Sequence, residues 1–118
     1  MSARVMLIKT AENRCRFAEV KTDEDGAIPL EELQSAVGGF IERTDVRKPG
    51  CEGLDIWLNE EGKMNHLPVN VLATWLSDLW RYGDFVVGDV IVCATNGGGD
   101  SIGLTEEQEK RLREVFVA

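Results

Sequence analysis

The chain has 118 residues, of which 43% are hydrophobic and 29% charged, proportions typical of one soluble domain rather than of a fibrous, disordered or membrane protein. Aspartate and glutamate outnumber lysine and arginine by 21 to 13, so the formal net charge is -8 and the isoelectric point lies near 4.6. Because the sequence has no basic stripe and no apolar run of the roughly 18 residues that a membrane span needs, we expect neither nucleic-acid backbone binding nor membrane insertion.

The chain opens with a predicted β-hairpin. Residues 5–8 are all apolar, which favours a buried strand, and residues 17–20 can return beside them as a second strand. Glu12 and Asn13 lie between the two segments and suit the turn.

A helix is predicted to begin at Pro29. Leu30, Leu33 and Val37 recur at helical spacing, and Gly38 provides a C-terminal stop. A third strand is then expected from position 40.

A fourth strand is predicted over residues 54–58, where apolar side chains alternate along the segment. Lys48, Pro49 and Gly50 turn the chain before it, and the polar segment 59–63 ends it.

A second helix is expected after Asn70, which can cap it, and Gly83 ends it. Its core face is predicted from helical spacing and comprises Leu72, Trp75, Leu76 and Leu79. Trp80 lies close to the helix end, where partial exposure is expected.

The last part of the chain predicts a central strand and a terminal helix. Gly88 and Asp89 indicate a tight turn or bulge that leads into a strand over residues 90–93. Thr105 and Gln108 form a capping-box pattern at the start of the last helix. Together the elements predict a compact single α+β domain spanning residues 1–118, with a mostly antiparallel sheet of about five strands and three helices.

The cysteines and the single histidine do not indicate a catalytic or metal site. Cys15, Cys51 and Cys93 are too far apart for the usual spacing of structural zinc ligands, so we predict no metal and no cofactor. The N-terminal residues lack the apolar segment of a secretory signal, so a reduced, cytoplasmic location is expected. No serine or cysteine motif accompanies His66, and we therefore expect a protein that is not an enzyme.

Two segments are candidate binding sites for a small anionic ligand. The first is a turn with Asn59 and Lys63, together with Asn70 and Arg43. Turn formation equally explains Asn59, and helix capping equally explains Asn70.

The second candidate is a glycine-rich loop comprising Gly97, Gly98 and Gly99, which follows the predicted central strand. Its backbone amides could cradle a phosphate, although the loop lacks the lysine of a Walker A motif. A flexible connector is the alternative interpretation.

Other residues are candidates for contact with a protein. Asp23, Glu24 and Asp25 form an acidic group that could steer the chain towards a basic partner, and Trp57 and Trp80 could anchor it. Solubility is the simpler explanation of the acidity, and turn formation explains the acidic group.

Four segments carry a resemblance to a known family. They are Val37-Gly38-Gly39-Phe40-Ile41-Glu42, Asn59-Glu60-Glu61-Gly62-Lys63, Leu67-Pro68-Val69-Asn70 and Gly88-Asp89-Val90-Ile91-Val92. In this order they resemble an uncharacterised family of small proteins of phages, plasmids and conjugative elements, described as a domain of unknown function. The resemblance implies a biological setting and no particular reaction.

By analogy with other small proteins of such elements, the expected function is that of a non-catalytic accessory protein that binds a host protein and interferes with a host defence pathway. The alternatives are sequestration of a small signalling nucleotide, or a small enzyme acting on a nucleotide. The sequence does not determine the oligomeric state.

Overall fold

The computed structural model describes residues 1–117 and contains an antiparallel sheet of six strands with three helices, which confirms the predicted α+β class. The strands are β1 (Ser2–Lys9), β2 (Arg14–Lys21), β3 (Ile41–Asp45), β4 (Leu54–Asn59), β5 (Val90–Thr95) and β6 (Ser101–Ile102). The helices are α1 (Leu30–Val37), α2 (Val71–Ser77) and α3 (Glu106–Val117). No helix within residues 1–117 is long and apolar enough to cross a membrane.

The sheet is centred on β5 and has the order β2-β1-β5-β4-β3. The β1–β2 hairpin turns where it was predicted, and Glu12 donates its backbone N–H to Lys9 at 3.1 Å. The sixth strand, β6, continues the β1 side of the sheet, since Ala94 of β5 pairs with Ile102 on one side and with Leu54 on the other. A strand of two residues has no periodicity for sequence analysis to detect.

Alternation along the strands gives the sheet two apolar faces, each covered by helix. The face under α2 and α3, which we call the α2/α3 face, holds the larger buried cluster, including Met6, Ile8, Ile56, Leu76, Val90, Val92 and Leu112. The opposite face, the α1 face, holds Val5, Ile28, Leu33, Val37, Ile91 and Cys93. The result is a three-layer molecule with a Cα radius of gyration of 13.3 Å.

Helix α1 ends as its sequence predicts. Gly38 has a φ of 78°, in the left-handed region that glycine adopts without strain, and its N–H donates to Gln34 at 2.8 Å. The N–H of Gly39 donates to the same carbonyl at 3.1 Å, so the chain turns directly towards β3.

The second predicted helix is shorter than expected. It ends at Ser77 because Asp78 adopts a left-handed φ of 60°, and a 3₁₀ turn over Leu79–Tyr82 follows. The hydroxyl of Ser77 accepts the N–H of Leu79 at 3.3 Å, which satisfies an amide at the break. The periodic apolar residues continue across the break, and for that reason the sequence predicts one helix.

Helix α3 begins with the predicted capping box. Gln108 donates its N–H to the Thr105 hydroxyl at 3.1 Å, and its side chain accepts the N–H of Thr105 at 2.9 Å.

Candidate functional site

The first candidate site is an apolar groove on the outside of α2, which we call the Trp80 groove. It is lined by Val69, Val71, Thr74, Trp75 and Trp80 and has a volume of about 230 Å³. Trp80 is 51% exposed and Val71 65% exposed. Large apolar side chains are therefore presented together to solvent, as expected for Trp80 from its position near the end of the helical segment.

The floor of the Trp80 groove is held in place by contacts from α3 and from the loop before β4. The ring of Trp75 lies 5.2 Å from that of Phe116 on α3, and Lys48 Nζ lies 3.9 Å from the Trp75 ring centroid. On the rim, the guanidinium of Arg81 lies 4.9 Å from the Trp80 ring. Both cations face aromatic rings, which stabilises this orientation of the two tryptophans.

The rim charges form a small network around Asp78. Lys48 Nζ lies 2.6 Å from Asp78 Oδ1, and Arg81 lies 3.4 Å from Oδ2. The hydrogen bond from Lys48 is the main cause of a lowered pKa for Asp78, and it outweighs the opposing effect of burial. Asp78 therefore stays charged near neutral pH and fixes the two cations beside the groove.

The second candidate site is a groove of about 200 Å³ on the α2/α3 face, which we call the β3 groove. Its lining comes from β3, the end of β4, the turn after β4, the 3₁₀ turn after α2 and the segment before β5: Glu42, Arg43, Thr44, Leu58, Asn59, Glu60, Lys63, Leu79, Asp84, Phe85 and Val87. Three of the predicted ligand residues, Arg43, Asn59 and Lys63, therefore line the same groove.

The charged groups of Lys63 and Arg43 are nevertheless separated by the sheet. Lys63 forms an ion pair with Asp84 and lies 4.9 Å above the ring of Phe85. This ion pair is the main cause of a lowered pKa for Asp84. The guanidinium of Arg43 donates to Asp55 at 2.8 Å, on the α1 face.

Asn59 and Asn70 use their side-chain amides as backbone connectors. Asn59 donates to the Val37 carbonyl at 3.2 Å and accepts the Glu61 N–H at 2.8 Å. Asn70 lies away from the β3 groove, donates to the carbonyls of Ile8 and Gly88, and caps α2. The four ligand candidates are thus not brought together as one cluster of free polar groups.

The glycine loop forms a closed turn between β5 and β6. The side chain of Asn96 accepts the N–H groups of Gly98 at 2.9 Å and of Asp100 at 3.0 Å, and the Asn96 carbonyl accepts the N–H of Gly99 at 3.2 Å. Most amides expected to face a phosphate are therefore hydrogen-bonded inside the loop, and Gly97 contributes the remaining glycine amide.

The protein-contact candidates lie apart from one another. Asp23 accepts the N–H groups of Asp25 and Ala27, so its role is that of a turn residue, whereas the neighbouring Glu24 is exposed. Trp57 is half-buried in the α1-face cluster, so of the two tryptophans Trp80 is the exposed one.

Sequence analysis missed several residues that shape both grooves. Val69 and Val71 flank the Asn70 cap, and both are exposed although β-branched and apolar. Leu79, which was expected on the core face of the second helix, and Phe85 frame the β3 groove because the chain breaks at Asp78 and folds back. The apolar pair on either side of the Asn70 cap could have indicated an exposed apolar patch from the sequence. No feature of the sequence indicated the break at Asp78.

The cysteines are poor nucleophiles in this fold. Burial raises the pKa of Cys15 to about 12 and that of Cys93 to about 11, and it also raises the pKa of Cys51. In the part of the chain that the structure describes, no three metal-ligating side chains come together.

Comparison with known proteins places the chain in a family. Neither the curated proteins nor the solved structures include a match to this chain. A family model matches residues 2–117, which is nearly the whole sequence. The chain therefore belongs to DUF3846, a domain of unknown function.

Proposed function

We propose that this protein is a non-catalytic accessory protein of a phage or other mobile genetic element, and that it docks on a host protein and interferes with a host defence pathway. The observation that carries the binding part of this proposal is the Trp80 groove. The setting is supported by the resemblance of four sequence segments to proteins of such elements, and the defence role by analogy.

The Trp80 groove has the chemistry of a protein-binding hot spot. Tryptophan and arginine are the side chains most enriched where truncation weakens protein complexes, and here Arg81 stacks on Trp80 beside an apolar depression. Contiguous exposed apolar surface costs solubility, so its presence here supports a contact surface. Isolated exposed apolar residues, such as Leu30 on α1, carry no such argument.

The net charge of the chain supports a partner with a basic surface. Because acidic groups exceed basic ones by eight, the long-range field attracts a positively charged protein and speeds association. The apolar groove supplies affinity after contact, since charge at the rim acts mainly on the association rate.

The experiment compares matched surface variants for capture of a host partner. Trp80→Ala removes the anchor, and Val71→Asp places a carboxylate in the groove at the first turn of α2, where the helix tolerates negative charge. Leu30→Ala is the control, because Leu30 is also exposed but lies on α1. The captured protein is identified by mass and purified, and its Kd is measured with each variant.

Both groove variants should weaken binding by about thirtyfold or more, the effect of losing a hot-spot side chain, while Leu30→Ala should bind like the wild type. Equal binding by all four proteins would remove the Trp80 groove from the proposal. Recovery of a cleaved nucleotide after incubation with the purified protein would replace the non-catalytic proposal with the enzyme alternative.

A further inference from the structure

One edge of the sheet offers unpaired backbone groups to solvent. β3 is the last strand on its side, and within residues 1–117 nothing pairs with its outer edge. The N–H of Val46 donates to the Leu54 carbonyl, and the N–H of Glu60 donates to the Phe40 carbonyl. The even-numbered residues of this strand therefore hydrogen-bond to β4. It follows that the N–H and C=O groups of Ile41, Arg43 and Asp45 point away from β4.

The β3 groove lies directly beside these free groups. Glu42 and Thr44 of β3 point to the same face as Leu58 and Ile56 of β4, which is the face on which the groove opens. The far wall of the groove is Leu79, Phe85 and Val87. A strand added to β3 would run about 4.8 Å from it and would place every second side chain on the groove side.

The charges in the groove favour a positively charged occupant. Lys63 is already neutralised by Asp84, and the guanidinium of Arg43 is on the opposite face with Asp55. Glu42 and Glu60 line the groove, and within the described chain neither forms an ion pair. The groove therefore combines an apolar wall with two uncompensated carboxylates.

We propose that β3 is a docking edge that receives an extended segment of a partner protein as an added strand, with basic and apolar side chains on its groove side. Main-chain hydrogen bonds to Ile41, Arg43 and Asp45 would fix the register, and Glu42 and Glu60 would select lysine or arginine. This inference rests on the proposed function only in that the partner is a protein, and it uses a surface distinct from the Trp80 groove.

The other edge of the sheet provides an internal comparison. β2 also ends the sheet, but it carries three basic side chains, Arg14, Arg16 and Lys21, against the single carboxylate of Glu19. Arg16 is paired with Glu12, and the other two cations form no ion pair within the described residues. A basic segment should therefore avoid β2 and prefer β3, although both edges have free backbone groups. If the peptide binds β3 and not β2, charge selects the edge; if it binds both edges equally, the strand pairing is unspecific.

The test uses a short capped peptide added to the whole chain. Every second residue of the peptide is in turn lysine or valine, and the residues between them are threonine, so that one face of the strand carries both basic and apolar side chains. Amide hydrogen exchange and amide NMR shifts are followed at Ile41, Arg43 and Asp45 on β3, and at Phe17 and Glu19 on β2. A second peptide has glutamate in place of lysine. A third is the lysine peptide with N-methyl groups on the residues that would donate to β3.

We expect the lysine peptide to slow exchange and shift the amides on β3 and to leave those on β2 unchanged. The glutamate and N-methyl peptides should bind at least about tenfold more weakly. The glutamate peptide loses charge complementarity with the groove, and the N-methyl peptide loses the main-chain hydrogen bonds to β3. The double variant Glu42→Lys with Glu60→Lys should reverse the preference between lysine and glutamate peptides, and since both side chains are exposed its fold should be retained.

Trp80→Ala serves as the second control and should bind the lysine peptide like the wild type. If that variant loses its host partner but keeps the peptide, both surfaces act as proposed. Equal binding of the lysine and N-methyl peptides would overturn the strand-docking proposal and leave the Trp80 groove untouched. Concentration-dependent dimers with protected β3 amides in the absence of peptide would assign the edge to a second copy of this chain instead.

Discussion

One buried side chain, that of Asn70, connects elements that are distant in sequence. Asn70 is 3% exposed and joins the end of β1, the turn before β5 and the first turn of α2 through a single amide group. Its amide donors and its oxygen all have partners, so it is a structural residue even though its type and position also suited a ligand site. Arg43 and Lys63 are also engaged within the fold, but by ion pairs with neighbouring carboxylates.

Asn70→Ala should lower the free energy of unfolding by about 3 kcal/mol, the loss of a helix cap together with the loss of a donor to two buried carbonyls. Urea denaturation measures the change. Asn65→Ala is the matched control, because Asn65 is an exposed asparagine of the preceding loop, and it should stay within about 0.5 kcal/mol of the wild type. A similar small effect for Asn70→Ala would show that water replaces the amide.

Stability should decrease in acid through Asp78. The hydrogen bond from Lys48 is the largest cause of its lowered pKa in the fold, so the unfolded chain binds the proton more readily than the folded chain does. The stabilisation is complete above the ordinary carboxyl pKa of 3.8 and is lost as the pH falls through the lower value of the folded protein. Asp78→Asn keeps the left-handed φ, which asparagine tolerates, and should give a shallower loss of stability below about pH 4.

Urea denaturation across this pH range measures the acid dependence. The control is Glu24→Gln, which removes an exposed carboxylate that forms no ion pair within residues 1–117, and which should retain the wild-type slope. A wild-type slope in Asp78→Asn would mean that the network with Lys48 and Arg81 does not stabilise the fold.

At the scale of elements, the close approach between the β6–α3 link and β1 limits what side chain the link can carry. A Cβ on Gly103 would lie 2.7 Å from the Cβ of Ala3 and 3.1 Å from the backbone nitrogen of Arg4. The N–H of Leu104 donates to the Arg4 carbonyl at 2.8 Å, so the link cannot move away without losing a hydrogen bond.

Gly103→Ala should therefore destabilise the protein by about 1–3 kcal/mol, seen as a lower denaturation midpoint at an unchanged slope. Gly97→Ala is the control, because nothing lies within 4 Å of a Cβ at that position, and it should be nearly neutral. Similar midpoints for the two variants would contradict the tight packing of the link against β1.

The elements with a strong local signal could be predicted from the sequence, and those set by tertiary contacts could not. The hairpin, the Gly38 stop and the Thr105–Gln108 capping box are local, and all three are present. The break at Asp78 arises because this residue adopts a left-handed conformation, although the helical spacing of apolar residues continues past it. Both grooves form where that break folds the chain back, so the exposure of Trp80 was predictable and the rest of each groove was not.

For the whole molecule, the basic side chains are mostly paired and many of the acidic ones are not. Most basic side chains form ion pairs, including those of Arg4, Lys48, Lys63 and Arg81. Acidic side chains exceed them, and groups such as Glu24 and Glu42 form no ion pair within the described residues. The field outside the protein is therefore set by the unpaired carboxylates, which favours basic partners and opposes polyanions.

This distribution predicts how the protein behaves with duplex DNA as the salt concentration changes. A protein that binds the phosphate backbone gains affinity as salt is lowered, because counterion release becomes more favourable. For a chain with a net charge of -8 the opposite holds, since lowering the salt lengthens the range of repulsion. Fluorescence anisotropy with a labelled duplex should show no binding at about 150 mM salt, and none should appear at about 20 mM. Binding that strengthens at the lower concentration would reveal a basic surface and contradict the proposed preference for basic protein partners.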